Sequence, residues 1–229
     1  MLRQMSRRGR LEAALYDRAN SELKKLASIL DPANEPALSA TLSSTTIAEI
    51  LIKAPSLLDM EYQALLQYLQ HTGRPYRHWT DLPHPPNANI LPPRAEQPQQ
   101  FSRNERTFSL SKSHKGNSAI YFTNPLTAIY GTGFIESIWH LPLNGSLSTF
   151  IIIRPHRSLS PEDEARAPFI HYPGLQTRIL SAQPSDELII IEPTQIITHL
   201  TTFERPSGTY GINQQTLVVS WALGRGRDF

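Results

Sequence analysis

The sequence predicts an α+β protein with short N-terminal helices, a proline-rich linker and then a small, mostly antiparallel β-barrel. Three observations support this fold class. Apolar residues recur at the helical period in the first third of the chain, prolines cluster in the middle, and short β-branched segments follow from residue 118. A chain of 229 residues is long enough to bury a core in such a fold.

Residues 1–73 are the predicted helical segment. Residues 9–30 and the short stretch IAEILIKA before Pro55 both read as helices. The strongest pattern is SLLDMEYQALLQYLQHTG, where Gly73 stands at the position of a C-terminal cap. In this helix one face is predicted to carry Leu58, Tyr62, Leu65, Leu66 and Leu69.

Residues 74–117 are predicted to be a proline-rich, basic linker. The stretch LPHPPNANILPPRAEQPQQ holds six prolines and little to bury, which is typical of extended, polyproline-like chain. A flexible basic segment beside a folded module can hold nucleic-acid phosphates without reading base sequence. The candidate nucleic-acid-binding residues are therefore Arg94, Arg103, Arg106, Lys112 and Lys115. The alternative is an ordinary solvated linker.

Residues 118–223 are the predicted β-barrel module, and residues 224–229 are a basic tail. Asn144-Gly145 supplies the two positive-φ residues of a type I′ turn, which places Leu143 opposite Ser146 and Trp139 opposite Phe150. Ser160 followed by Pro161 and acidic residues predicts a short capped helix. Pro193 interrupts a run of strand residues, which predicts a strand that bends as it leaves one sheet for another.

The composition and motifs favour a protein without catalytic chemistry. The chain has no cysteine, which excludes a disulfide framework, a zinc finger and a thiol nucleophile. It has no Gly-x-Ser-x-Gly elbow, and the spacing of His71, His78 and His84 is not a usual metal-ligand spacing. We therefore predict no catalytic residue, no metal and no cofactor. No apolar run approaches the length of a membrane span, so no membrane partner is predicted.

Two site hypotheses stay open at this stage. His140 and His199 lie within predicted strands and, with a nearby carboxylate, would serve a small hydrolase or nuclease if they converged in one pocket. Alternatively, aromatic residues lining one rim of the barrel would form a cage for a methylated lysine. The aromatic residues considered for that cage are Trp139, Phe150, Phe203, Tyr210 and Trp221.

The order of elements over residues 118–223 resembles the C-terminal region of fungal CACTA-type (En/Spm-like) transposase proteins. The matching features are the hydrophobic-Arg segment Ile151–Arg154, the Pro-Phe…Tyr-Pro-x-Leu-x-x-Arg stretch in Pro168–Ile179, and the Ile-x-x-His strand Ile196–Leu200. Residues Ile196–Phe203 are also similar to a strand of bromo-adjacent homology (BAH) domains, which are interaction modules in chromatin proteins. The resemblance implies an SH3- or BAH-like β-barrel in a nuclear protein.

This chain departs from the transposase pattern because it has no RNase H-like core with its carboxylate triad. The resemblance therefore implies a transposase-derived fragment and not a transposase. Together with the residue pattern, it predicts a non-catalytic module that binds DNA through the basic linker and a histone or another protein through the barrel. A relic without retained function is the third alternative, and the sequence predicts no oligomeric state.

Overall fold

A computed structural model describes residues 44–104 and 106–221, with side chains from residue 46 onward. The predicted helix 9–30 and the basic tail 224–229 lie outside the described residues. The helices are α1 (Ser44–Lys53), α2 (Asp59–His71), α3 (Lys115–Ser118) and α4 (Pro161–Ala165). The strands are β1 (Tyr76–Arg77), β2 (Asn89–Ile90), β3 (Gln100–Arg103), β4 (Arg106–Ser109), β5 (Ala119–Thr123), β6 (Tyr130–Leu143), β7 (Ser146–Pro155), β8 (Thr177–Ser181), β9 (Ile189–Ile191), β10 (Ile196–Arg205) and β11 (Thr216–Trp221). No helix among these residues is both long enough and apolar enough to cross a membrane.

Helix α2 follows the predicted pattern closely. Glu61 accepts a hydrogen bond from the Leu58 amide at 3.2 Å, which satisfies a donor at the start of the helix. The helix ends at His71, and Gly73, two residues later, has a φ of 77° that glycine adopts readily. Its buried side chains are Tyr62, Leu65, Leu66, Tyr68 and Leu69, whereas Leu58 is 70% exposed and does not belong to the buried face.

Seven strands form an antiparallel sheet in the order β8-β11-β10-β5-β6-β7-β9. The mixed α+β class and the mostly antiparallel sheet agree with the prediction. Among the described residues, β8 and β9 stand at the two ends of this order, so the sheet is not closed into the predicted barrel.

The sheet is nevertheless strongly curved. Five strand spacings separate β8 from β7, which is about 24 Å in a flat sheet. Yet the Ser181 amide at the end of β8 donates to the carbonyl oxygen of Arg157 at 2.9 Å, only two residues beyond β7. The sheet therefore bends round at this end and stays open at the other end of β8, near Thr177.

The hairpin of β6 and β7 is confirmed in its register. Trp139 pairs with Phe150, Leu143 pairs with Ser146, and Asn144 and Gly145 both have positive φ. Helix α2 and residues near 91–95 cover one face of this hairpin, where Trp139 is buried. The β3–β4 hairpin covers the other face, where Ile138 is buried.

The proline-rich segment is not a free linker. Leu91, Ala95, Phe108 and Leu110, all within residues 74–117, are buried in the two cores. The amide of Glu96 donates to His140 at 3.0 Å and the amide of His140 donates back at 2.8 Å, which attaches this segment to β6. The sequence pattern did not predict this packing, because isolated apolar residues between prolines show no periodicity although they can dock on a neighbouring sheet.

At Pro193 the chain changes its strand partner, but it does not leave one sheet for another as predicted. Residues Pro193–Gln195 form a 3₁₀ turn between β9 and β10. Strand β9 pairs with β7, whereas β10 pairs with β5 and β11. The two strands belong to one sheet and not to two.

Candidate functional site

A cavity of about 420 Å³ lies at the open end of the curved sheet. This volume falls in the range of small-ligand and side-chain pockets, roughly 300–1,000 Å³. Its floor comes from strands β5, β6, β10 and β11, and its rim comes from β8 and the segment that precedes it. The lining is mainly apolar and aromatic, with Tyr121, Phe169, Leu200, Val219 and Trp221 among its members.

Three aromatic rings contact one another in a row beside this cavity. The ring of Tyr121 lies 5.6 Å from that of Tyr130, nearly parallel at 21°, and 4.6 Å from that of Trp221, tilted by 45°. Tyr130 is 63% exposed at the outer end of the row. We call these three side chains the aromatic row; its outer ring offers a free face and edge to a ligand.

Residues 158–176, which we call the cover segment, lie over the cavity. Ser160 accepts from the Asp163 amide at 3.2 Å and Pro161 takes the first helical position, so the capped helix α4 forms as predicted. Buried Leu159 and Ala167 anchor the segment against Ile179 of β8. The segment also exposes Tyr172 and Leu175, and Ile170, which lines the cavity, is half exposed.

The rim of the cavity carries two charged side chains of opposite sign. Glu164 of α4 and Arg178 of β8 both line it, and both are exposed. Among residues 46–104 and 106–221, neither has a salt-bridge partner. The rim can therefore contact polar groups of a ligand without first breaking an ion pair.

The predicted nucleic-acid-binding arginines have partners within the protein. Arg94 donates to the carbonyl oxygen of Ile52 at 3.1 Å, near the end of α1. Arg103 donates to the carbonyl oxygens of Pro193 and Ile196, the latter at 3.1 Å. Arg106 donates to the hydroxyl of Thr198 at 3.2 Å. These contacts fasten the 74–117 segment to its surroundings.

The two predicted lysines differ from each other. Lys115 forms an ion pair with Glu204 and lies 5.7 Å above the centre of the Phe134 ring. Lys112 is exposed to solvent. Four of the five basic residues make intramolecular contacts at separate places on the protein, and Lys112 is exposed without a recorded contact among the described residues.

The histidine hypothesis requires His140 and His199 to converge, and they do not. His199 pairs with Ile120, which pairs with Gly133 on β6. His140 lies seven residues beyond Gly133 on β6, which is about 23 Å along the strand. Each histidine has its own neighbours: His199 stacks on Phe108 at 4.2 Å, and His140 Nδ1 lies 3.8 Å from a Glu96 carboxylate oxygen.

No sequence motif marks His156, a largely buried ionisable group whose ring lies beside the cavity residue Thr132. Its Nδ1 lies 3.1 Å from the hydroxyl of Thr132, a cavity residue, and its ring packs edge-on against Phe134 at 4.6 Å. Burial, together with the charge of Lys115, lowers the pKa of His156 to about 4. At neutral pH the imidazole is therefore uncharged.

The expected aromatic cage is not assembled from the residues considered for it. Trp139 and Phe150 are fully buried in the hairpin core, and Phe203 is 57% exposed beneath Arg205. Tyr210 packs with Phe169 near the cover segment, and Trp221 lines the cavity. The described residues also contain no group of three His, Asp or Glu side chains placed to hold a metal ion.

Comparison of the chain with protein-family models, with curated proteins and with solved structures found no match. The resemblance of residues 118–223 to transposase and BAH sequences therefore stays a prediction.

Proposed function

We propose that this protein is a non-catalytic binding module that holds a segment of a partner protein in the cavity at the open end of its sheet. The observation that carries the proposal is the aromatic row Tyr130–Tyr121–Trp221 beside a 420 Å³ cavity. Solvent-accessible aromatic rings around a concave apolar surface are typical of sites that bind protein side chains.

A protein ligand fits this site better than a phosphate backbone does. Counterion-releasing DNA contacts need several basic side chains that are free to meet phosphates. At the cavity rim Arg178 is accompanied by Glu164, and the charges of opposite sign leave no strongly positive surface there. Four of the five basic residues first considered for DNA make intramolecular contacts.

The wider setting in this proposal is a chromatin-associated, nuclear protein derived from a transposase C-terminal region. In that setting the curved, open sheet takes the place of the SH3- or BAH-like barrel, and the cavity holds a histone or another protein tail. Support for this part comes from the sequence features of Ile151–Arg154, Pro168–Ile179 and Ile196–Phe203.

The proposal is tested by selecting ligands and mapping them to the cavity. The full chain would be presented with a random library of 12-residue peptides, and the selected peptides would be measured by fluorescence polarisation. Tyr130→Ala and Trp221→Ala should each weaken binding at least tenfold, because each removes one ring of the row. Phe203→Ala is the matched control, since it truncates an aromatic side chain that is also exposed, at 57%, and lies outside the cavity lining.

Two results would overturn the proposal. One is a failure to select any peptide, and the other is a set of peptides whose affinity is the same for Tyr130→Ala, Trp221→Ala and Phe203→Ala. A 12-nucleotide single strand and a duplex would be measured in parallel over a salt series. Tight binding of either one, with affinity falling steeply as salt rises, would favour a nucleic-acid ligand instead.

A further inference from the structure

Large apolar side chains surround the mouth of the cavity and are exposed to solvent. Three belong to the cover segment, where one of them lines the cavity and the other two adjoin the lining residues Pro173 and Gln176. The other three come from the start of β6 and from the loop before it. We call this set the mouth patch. Its members, each between 52% and 67% exposed, are Leu126, Ile129, Tyr130, Ile170, Tyr172 and Leu175.

The loop 124–129, which joins β5 to β6, holds its apolar side chains in a fixed position. The Asn124 amide donates to the Ile129 carbonyl at 2.9 Å, and the Ala128 amide donates to the Asn124 carbonyl at 2.8 Å. The Asn124 side chain accepts from the Leu126 amide at 3.0 Å. Ala128 has a φ of 56°, a left-handed conformation that costs free energy for a residue with a Cβ atom. The chain therefore uses an ordered and strained loop to present Leu126 and Ile129 to solvent.

The mouth patch is large for the surface of a single chain. Six large side chains that are more than half exposed present roughly 600 Å² of surface, since an aromatic side chain alone has about 150–250 Å². The largest apolar patch of a monomeric protein is typically about 300–600 Å² and is often functional. A stable protein interface buries about 800 Å² on each partner. The patch and the cavity walls together therefore offer the area that association with a second protein chain needs.

The charges at the rim of the cavity favour an identical chain as that partner. In a dimer with two-fold symmetry, every contact occurs twice with the roles of the two copies exchanged. Glu164 and Arg178 are both exposed at the rim, and neither has a salt-bridge partner among residues 46–104 and 106–221. Two copies that face each other across this rim can therefore pair Glu164 of each copy with Arg178 of the other.

We propose that two copies of this chain associate through the mouth patch, and that the loop 124–129 of each copy enters the cavity of the other. This inference rests on the proposed function, because it names a second copy of the chain as a partner of the same cavity. The cavity lining is mainly apolar, so the side chains of Leu126 and Ile129 gain free energy from burial there.

The position of the loop suits this exchange. Tyr121 and Thr132, the β5 and β6 residues that line the cavity, each lie three residues from an end of the loop 124–129. The loop and the cavity mouth are therefore neighbours in each copy, and a two-fold axis between two mouths can bring each loop to the other cavity. Because its hydrogen bonds already order the loop, docking loses little conformational entropy.

Sedimentation velocity of the full chain over a hundredfold range of concentration tests the proposal. We expect a reversible dimer. Ile129→Asp should raise the dimer dissociation constant at least tenfold, because it places a charge in the apolar cavity of the other copy. Ile52→Asp is the matched control, since Ile52 is an isoleucine of α1 that is 73% exposed and lies outside the cavity lining. Both positions are on the surface, so both variants should fold, which circular dichroism would verify.

Reversal of the rim charges tests the two-fold pairing directly. Glu164→Arg alone and Arg178→Glu alone should each weaken the dimer, because each homodimer then has like charges opposite each other. In an equimolar mixture of the two variants, both contacts join opposite charges, and the heterodimer should form more tightly than either homodimer. A loss of folding in either variant would not be repaired by mixing, so this recovery reports the contact itself.

The outcomes separate this inference from the proposed function. A chain that stays monomeric throughout, or a dimer that Ile129→Asp and Ile52→Asp weaken equally, refutes the inference; the proposed function still stands if library peptides bind and Trp221→Ala weakens them. The tightest library peptide should convert the dimer to monomer, since it occupies the place of the loop, and a dimer that binds this peptide and stays intact would also refute the inference. If no peptide is selected but the dimer responds to Ile129→Asp and to charge reversal, the inference stands and the module does not serve other proteins.

Discussion

β7 packs tightly against Gly133 of β6, and this contact predicts a large effect for a single added methyl group. Gly133 pairs with Pro155 at the end of β7. A Cβ atom at position 133 would lie 2.5 Å from Ile153 Cγ2, 2.7 Å from the Arg154 carbonyl oxygen and 3.1 Å from Pro155 Cα. Real Cβ atoms are essentially never closer than 3.0 Å to such neighbours.

The clash at Gly133 cannot be relieved by a simple side-chain rotation. Ile153 is completely buried, and the Arg154 oxygen belongs to the backbone of β7. Overpacking in a core costs about 1–3 kcal/mol, and a contact with a rigid backbone atom belongs at the upper end. For Gly133→Ala we expect a loss of about 3 kcal/mol, which for a chain of this size lowers the melting temperature by about 6–12 °C.

Thermal unfolding followed by circular dichroism checks this value, with Gly174→Ala as the matched control. Gly174 has no heavy atom within 4 Å of an added Cβ, and its φ lies outside the left-handed region. The control should therefore melt at the wild-type temperature or slightly above it. If Gly133→Ala melted within about 1 °C of Gly174→Ala, the close approach of β6 and β7 described here would be incorrect.

Three further predictions concern the core and its ionisable groups. Trp139→Ala should lower the free energy of unfolding by about 3–5 kcal/mol, because this side chain is fully buried against Phe150; an unchanged urea midpoint would contradict its burial. Glu192→Gln should lower the pKa of Tyr68 from about 12, because after burial the Glu192 charge is the next cause that raises it. Absorbance titration against a Tyr68→Phe reference measures that shift, and an unshifted titration would exclude the coupling. The free energy of unfolding should fall as pH drops from about 6.5 to about 4. The pKa of His156 is about 4 in the folded protein, so over this pH range His156 takes up a proton in the unfolded chain but not in the folded one. His156→Asn should reduce this slope in denaturant titrations at a series of pH values; an unchanged slope would argue against a buried imidazole.

The parts of the fold that were predicted correctly are those that local chemistry determines. Asn144-Gly145 fixes the hairpin register because a two-residue turn with positive φ leaves one pairing for the flanking strands. Ser160 and Pro161 fix the start of α4 through a side-chain cap and a preset φ. In each case the determining residues are adjacent in the sequence.

The parts that were missed depend on contacts between distant residues. Leu91 looks like one apolar residue in a proline-rich stretch, and only its docking beneath α2 makes it part of a core. The aromatic row joins Tyr121, Tyr130 and Trp221 from three strands, and a local pattern does not give their order in the sheet. The curvature that brings Ser181 to Arg157 is likewise a property of six strands together.

The burial of the β6–β7 hairpin on both faces restricts how this protein can change in evolution. Four consecutive residues of β7, Phe150–Ile153, are buried. Since successive side chains point to opposite faces of the sheet, neither face of the strand is exposed to water at these positions. In a strand with one wet face, every second position accepts polar substitutions freely. In β7 polar substitutions are disfavoured at all four positions. We therefore expect related sequences to differ mainly at exposed positions outside these two strands, and to differ least in the hairpin.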